Sequence, residues 1–239
     1  MRWRDNIVKV AGPIAKALSL PPLRKPFERV SYSAYGEDRI VLSWLERHFQ
    51  IDSRNVRYCD IGANHPMDLS NTFLFYSMGG TGVLVEPDPN LGPQLRQSRP
   101  RDVVLGVAVA FDDRRTGKLK RLTSNVFNTF SPAHATAVAE GSKSWRPDQK
   151  QHVLDEIEVP LIPANDILAG HFGGGLDFLS IDAEGVDLQI VRSIDFDRFR
   201  PKVLCFEGHD IDEAQKALPA RYELIARTPD NLICISDRR

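Results

Sequence analysis

The sequence predicts an α/β protein whose doubly wound, Rossmann-like and mostly parallel sheet closes with a C-terminal antiparallel hairpin. Three observations carry this. From about Arg57, short β-branched runs alternate with helical patterns, as a parallel sheet with crossover helices requires. Polar residues, many of them acidic, stand where those runs end. The last two runs, YELIAR and NLICIS, are separated only by TPDN, which is too short for a crossover, so they must pair antiparallel.

The first strand, RYCDIGA, ends near Gly62, and a helical stretch follows from Asp68 through Tyr76. GVLVE is the second strand and ends at Glu86. Pro89 to Gln97 reads as a short helix, and Val103 to Ala110 as the third strand. Lys118 to Leu122 is a basic, edge-like segment. From Thr123 to about Lys150 the pattern dissolves into Ser, Asn, Thr, Ala and charge, too long for a simple connection and therefore a functional lid or a mobile loop. EIEVPLIP is extended, and Asn165 is placed to cap a short helix at Asp166 to Ala169. The Gly173-Gly174-Gly175 turn precedes a strand instead of following one, so it is not a phosphate loop. LDFLSID, the fourth strand, ends at Asp182, and KVLCFE, the fifth, ends at Glu207; helices follow at Val186 to Ile194 and Ala214 to Leu218.

The 239 residues suffice for one core. A formal charge of -1 gives no basic footprint for nucleic acid. That charge is unevenly spread: residues 1–29 hold seven basic and two acidic residues, a net of +5, which leaves -6 for the rest. Ile7, Val8, Ala11, Ile14 and Leu18 recur at near-helical spacing, so residues 1–30 read as a basic arm or helix that packs on its own domain, kinked at Pro13. Weak peripheral contact with an anionic membrane is the lesser reading. Residues 31–239 form the main domain, with a lid or acceptor-site insertion around 123–160. No apolar run approaches the ~20 residues of a transmembrane span, and Lys16 interrupts the only candidate signal region. Cys59, Cys205 and Cys234 lie in apolar strand-like runs without metal spacing, as expected of buried thiols in a reducing cytoplasm.

Ligands of doubly wound sheets bind outside the carboxyl ends of the strands, where strand order reverses. The residues placed there are Asp60 to Asn64, Glu86, Asp182 with Glu184, and Glu207 with His209. Gly62 permits a sharp turn, but Asn64 and Pro66 stand where a dinucleotide loop would need further glycines. A carboxylate at Glu86 suits the two hydroxyls of a ribose. The pattern points to an adenosine cofactor without a pyrophosphate; an all-parallel nicotinamide sheet would not end in a hairpin.

The stretches YSAYGEDRIVLSWL, YCDIGANHP, SNTFLFY with GVLVEPDP, LDFLSIDAEGVDLQIVRSIDFDRFRPKVLCFE and RTPDNLICIS follow one another in the order of a known family. Over these stretches, which run from Ser31 nearly to the end, the chain resembles the FkbM methyltransferases. The resemblance implies the class I methyltransferase fold, S-adenosyl-L-methionine as donor, and O-methylation of hydroxyls on carbohydrates, glycolipids or secondary metabolites. Carried over by position, Asp60, Gly62, Ala63 and Asn64 form the donor loop, Glu86 holds the ribose, and Val107 and Ala108 lie near the adenine. Tyr35, Gly36 and Glu37, with Asp38, cover the methionine end. Asp182 is assigned to donor contact or base and Glu184 to acceptor contact, with His209 and His65 as alternative bases. The acceptor is expected to be a small molecule or glycan, shaped by Asn128, Thr129, Ser131, His134 and Trp145. A divalent cation on Asp182, Glu207 and His209 is a lesser alternative; so are a noncatalytic adenosine-binding module and an NAD-linked oxidoreductase.

Overall fold

Strands covered on both faces are mostly apolar runs, and four fit that pattern: β1 (Arg57–Ile61), β2 (Thr81–Val85), β7 (Phe178–Ile181) and β8 (Val203–Glu207). A computed structural model of the chain describes residues 30–141, 150–173 and 175–237. The basic arm expected over residues 1–29, and Trp145 and Gly174 of the expected insertion and turn, lie outside those residues.

With β3 (Val103–Leu105), β9 (Tyr222–Arg227) and β10 (Asn231–Ser236), these strands form a seven-stranded sheet in the order β3-β2-β1-β7-β8-β10-β9. The first five run parallel, whereas β10 is antiparallel to both β8 and β9. The final hairpin thus inserts its last strand beside the fifth parallel one, as the sequence predicts.

Alternation along β1 sorts the core into two layers. Tyr58 faces one layer with Val41, Leu42 and Leu45 of α1 (Glu37–Arg47), Phe75 of α2 (Phe73–Met78) and Leu95 of α3 (Gly92–Ser98). Cys59 and Ile61 face the other, with Ile167 and Leu168 of α5 (Ala164–His171) and Ile190 and Val191 of α6 (Asp187–Ser193). All three cysteines are buried thiols. Helix α1 has Glu37 and Asp38 in its first turn and Arg47 in its last, which complements its dipole.

Register aligns the strand ends. Ile61 pairs with both Val85 and Ile181, and Ile181 pairs with Phe206, so Gly62, Glu86, Asp182 and Glu207 emerge side by side.

Three local expectations change. The predicted third strand breaks after Leu105: β3 stays with β2, while β4 (Ala108–Ala110) joins a second sheet of order β4-β6-β5 with β5 (Thr116–Leu122) and β6 (Val153–Pro163). The helix expected from Asp68 starts only at Phe73, after a turn in which Ser70 Oγ accepts from Phe73 N at 3.1 Å. Asn165 does not cap α5; it lies inside that helix, and its side chain bridges Ser193 O at the end of α6 and Asp195 N, both at 2.9 Å. Between β5 and β6 the described part of the expected insertion holds a 3-10 turn at Asn125–Phe127 and the helix α4 (Pro132–Ala139), which Ser131 caps through His134 N at 3.1 Å. No helix among the described residues is long and apolar enough to cross a membrane.

Candidate active site

The β1 loop lies directly against the end of β7. Gly62 has φ +84°, its amide donates to Val85 O at 2.9 Å, and a Cβ there would stand 1.7 Å from the carbonyl oxygen of Asp182. Only glycine allows that approach.

Asp60 precedes this turn with its side chain buried. It accepts from Thr72 Oγ1 at 2.6 Å, and Thr72 in turn accepts from Arg99 Nη2 at 3.0 Å. Arg99 is itself fully buried, donating through Nε at 2.8 Å to Asp102, which also takes Tyr58 OH and Gly82 N at 2.8 Å each. Burial pushes the Asp60 carboxyl above its usual range, and the nearby Arg99 guanidinium pulls it back.

Glu86 turns back across the β1 loop, accepting from Asn64 N at 2.8 Å and Asp88 N at 2.7 Å. Burial nevertheless pushes its carboxyl up to about 7, because the two amide bonds only partly offset the lost hydration. Asn64 is left-handed at φ +45°; its Nδ2 donates to Asn125 O at 2.9 Å, and its Oδ1 is buried without a partner.

After β7 the chain makes a tight reversal with Glu184 at φ +52° and Gly185 at φ +94°. The Asp187 carboxylate fixes it by accepting from Ala183 N at 2.6 Å and Gly185 N at 3.0 Å. Burial pushes the Asp182 carboxyl well up, with Glu184 and Glu207 adding like-charge repulsion. Asp187 rises to about 8, from burial first and Glu207 next.

Asp182, Asp187 and Glu207 each offer an oxygen within 4.8 Å of the others, a set that suits a hard divalent cation. The oxygen set therefore includes Asp187 in place of His209, which is exposed and stands 3.8 Å from Glu207.

These loops enclose a cavity of about 1070 Å³. Of the residues assigned to the site from the sequence, Tyr35, Asp60, Gly62, Ala63, Asn64, Glu86, Ala108, Asp182 and Glu184 line it, together with Asn128, His134 and His209. Gly36, Glu37, Val107 and His65 do not. Gly36 is the left-handed residue before α1, and Val107 packs against the core. Glu37 is buried as a tie, accepting from Tyr35 N at 2.8 Å, Thr228 Oγ1 at 2.7 Å and Asn231 Nδ2 at 3.3 Å, so it joins α1 to the turn of the final hairpin. His65 accepts from Asp68 N at 2.8 Å in its own loop. The far wall was not anticipated: Lys118 and Lys120 of β5, Glu156 and Glu158 of β6, and the Phe130 ring.

The donor set fits a cationic adenosine cofactor. Carboxylates dominate the strand ends, an unpartnered amide oxygen (Asn64 Oδ1) waits at the β1 loop, and no glycine-rich nest for a pyrophosphate is present in that loop.

The model of the methyltransferase FkbM domain matches residues 60–228. Among solved structures, the chain is similar to a methyltransferase from Geobacter sulfurreducens (9% identity, 97% of this chain and 89% of that one, TM-score 0.43). It is also similar to an O-methyltransferase from Bacillus cereus in complex with SAH (12% identity, 97% and 91%, TM-score 0.44). No curated protein matches. The family match covers most of the chain and displaces the nicotinamide alternative: the chain belongs to the FkbM methyltransferases and uses S-adenosyl-L-methionine.

Proposed function

We propose that the chain is an O-methyltransferase acting on a hydroxyl of a carbohydrate or carbohydrate-bearing acceptor, with transfer at Asp182 and Glu184. The observation that carries this is the continuity of the cavity, which runs from the donor loops to the β5–β6 wall without a partition. That wall supplies carboxylates at Glu156 and Glu158, an ammonium at Lys118 and an aromatic face at Phe130. Such a mixture suits a polyol with one apolar face.

When bound, the donor supplies a methyl carbon activated by a sulfonium, so positioning governs the rate. Glu86 would hold the ribose hydroxyls, and Asn64, Ala63 and Ala108 would border the adenosine. Tyr35 would cover the methionine end, and Asp60 would act from behind the donor loop. Asp182 would serve as the base for the acceptor hydroxyl, its proton affinity raised by burial and by the neighbouring acids Glu184 and Glu207. Glu184 meets the acceptor hydroxyl.

The test is transfer of labelled methyl from S-adenosylmethionine to a panel of methyl glycosides and glycolipid headgroups. The expected product is an alkali-stable ether, and Asp182→Asn is expected to slow transfer roughly 10²–10⁴-fold while the protein still melts cooperatively. Label released as methanol by mild alkali, or found on nitrogen or sulfur, contradicts O-methyl transfer. An unimpaired Asp182→Asn variant contradicts the role of that residue.

A further inference from the structure

One stretch of the insertion touches the loops after three different strands. Asn125 O receives Asn64 Nδ2 at 2.9 Å, Asn128 Nδ2 donates to Asp88 Oδ2 at 3.0 Å, and Thr129 Oγ1 donates to Glu184 O at 2.5 Å. The stretch ends in α4, where His134 Nε2 stands 2.8 Å from Glu184 Oε2. His134 is the one titratable side chain this stretch sends into the cavity wall, and its side chain is only 3% exposed against 22% for Glu184.

Two further features fit the ring to this place. A Cβ on Gly185 would come within 2.8 Å of His134 Nδ1 and 3.0 Å of its Cβ, so the residue after Glu184 must be small for the imidazole to seat. Glu184 itself holds a left-handed conformation that a residue with a long side chain rarely adopts. Its backbone is fixed from below by Asp187 through the flanking amides and from above by Thr129. With the backbone fixed on both sides, the remaining freedom of Glu184 is the rotation of its side chain. His134 restricts that rotation.

We propose that His134 is a positioning residue, which holds the Glu184 carboxylate toward the acceptor hydroxyl and thereby makes the β5–β6 insertion part of the transfer machinery. The inference rests on the reading of Glu184 as the acceptor contact. In the step it serves, the hydroxyl oxygen gains the methyl, the carbon–sulfur bond breaks with its electron pair left on sulfur, and the hydroxyl proton passes to Asp182, while Glu184 orients the acceptor. His134 exchanges no atom; it fixes the angle at which the carboxylate is presented.

Two readouts test this, the first without any acceptor. In protein with ¹⁵N-labelled histidine and saturated with S-adenosylhomocysteine, the ring-nitrogen resonances of His134 are expected to shift on Glu184→Gln, with the other histidines unmoved. Unchanged His134 resonances overturn the proposal. The second readout is transfer from labelled S-adenosylmethionine to the best methyl glycoside of the panel. His134→Ala is expected to lower kcat roughly tenfold or more, with the KM for the donor and the affinity for S-adenosylhomocysteine near wild type. His134→Gln, which returns an N–H at similar reach, is expected to recover most of the loss. A wild-type kcat in His134→Ala, or a loss that falls equally on donor affinity, overturns it. Label from the wild-type enzyme on nitrogen or sulfur would instead defeat the O-methyl reading, leaving the ring-nitrogen result to decide the His134–Glu184 contact.

Discussion

Gly62→Ala is expected to lower the melting temperature by on the order of 10 °C and to remove measurable donor binding. The new methyl would stand 1.7 Å from the Asp182 carbonyl oxygen, which belongs to the backbone and cannot swing away. Relief requires β1 and β7 to part where Ile61 pairs with Ile181, the point from which Asp60, Asn64 and Asp182 all take their positions. Overpacking of this kind costs roughly 1–3 kcal/mol, and left-handed φ adds about 1–2 kcal/mol for any L side chain. Gly175→Ala separates the two contributions: its φ is +112° with nothing within 4 Å of the added Cβ, so it carries the backbone strain alone. Thermal melts and S-adenosylhomocysteine titration of both variants decide the matter. A Gly62→Ala protein that melts and binds like wild type contradicts the close approach.

Arg99→Met is expected to cost about 3–5 kcal/mol, because it takes the guanidinium away from the buried carboxylates of Asp102 and Asp60. Asp102 would keep Tyr58 OH and Gly82 N but lose the guanidinium, and Asp60 would lose the charge that opposes its desolvation. The guanidinium also lies over the Tyr58 and Tyr76 rings, each 5.3 Å from the centroid, so packing is lost with the charge. Arg99→Met combined with Asp102→Asn is expected to recover part of the stability, since the second change removes one stranded charge. Urea unfolding measures both. A single variant within 1 kcal/mol of wild type would mean that Asp60 and Asp102 are solvated, against their burial.

The sheet was legible because its strands are mostly apolar on both faces and give way to a glycine or an acid, so the level of Gly62, Glu86, Asp182 and Glu207 follows from counting along each run. The closing hairpin was legible because TPDN is too short for any other connection. Gly106 and Val107 left no mark: VVLGVAVA is uniformly apolar, and only the competing partner β6, some fifty residues later, draws Ala108–Ala110 out of the main sheet. Arg99 sits in RQSRPRD, a run that looks like solvated surface, and its burial depends on Asp102, Thr72 and the tyrosine rings converging from separate elements. Glu37 showed a different limit. Its neighbour Tyr35 does line the cavity, but one turn of helix carries the Glu37 carboxylate to Thr228 and Asn231, nearly two hundred residues away in sequence. The His134–Glu184 contact was likewise invisible, because nothing local in PAHATAVA indicates which loop the histidine will meet.

Binding of an adenosine methyl donor by the strand-end cavity, through Glu86 and the β1 loop, is the proposal on which the proposed chemistry depends. Its most direct test is calorimetric titration with S-adenosylhomocysteine at pH 6 and pH 8, beside NAD. Burial pushes the Glu86 carboxyl up to about 7, so the folded chain keeps a proton that the unfolded chain would release. That contribution to stability declines as pH rises from about 4.5 through 7. Ribose hydroxyls favour the ionised carboxylate, so binding runs the opposite way and tightens across the same interval. The expected result is single-site binding of S-adenosylhomocysteine, up to roughly tenfold tighter at pH 8 than at pH 6, with no heat from NAD. Absence of S-adenosylhomocysteine binding, or tighter binding of NAD, would contradict the assignment of this cavity to the methyl donor.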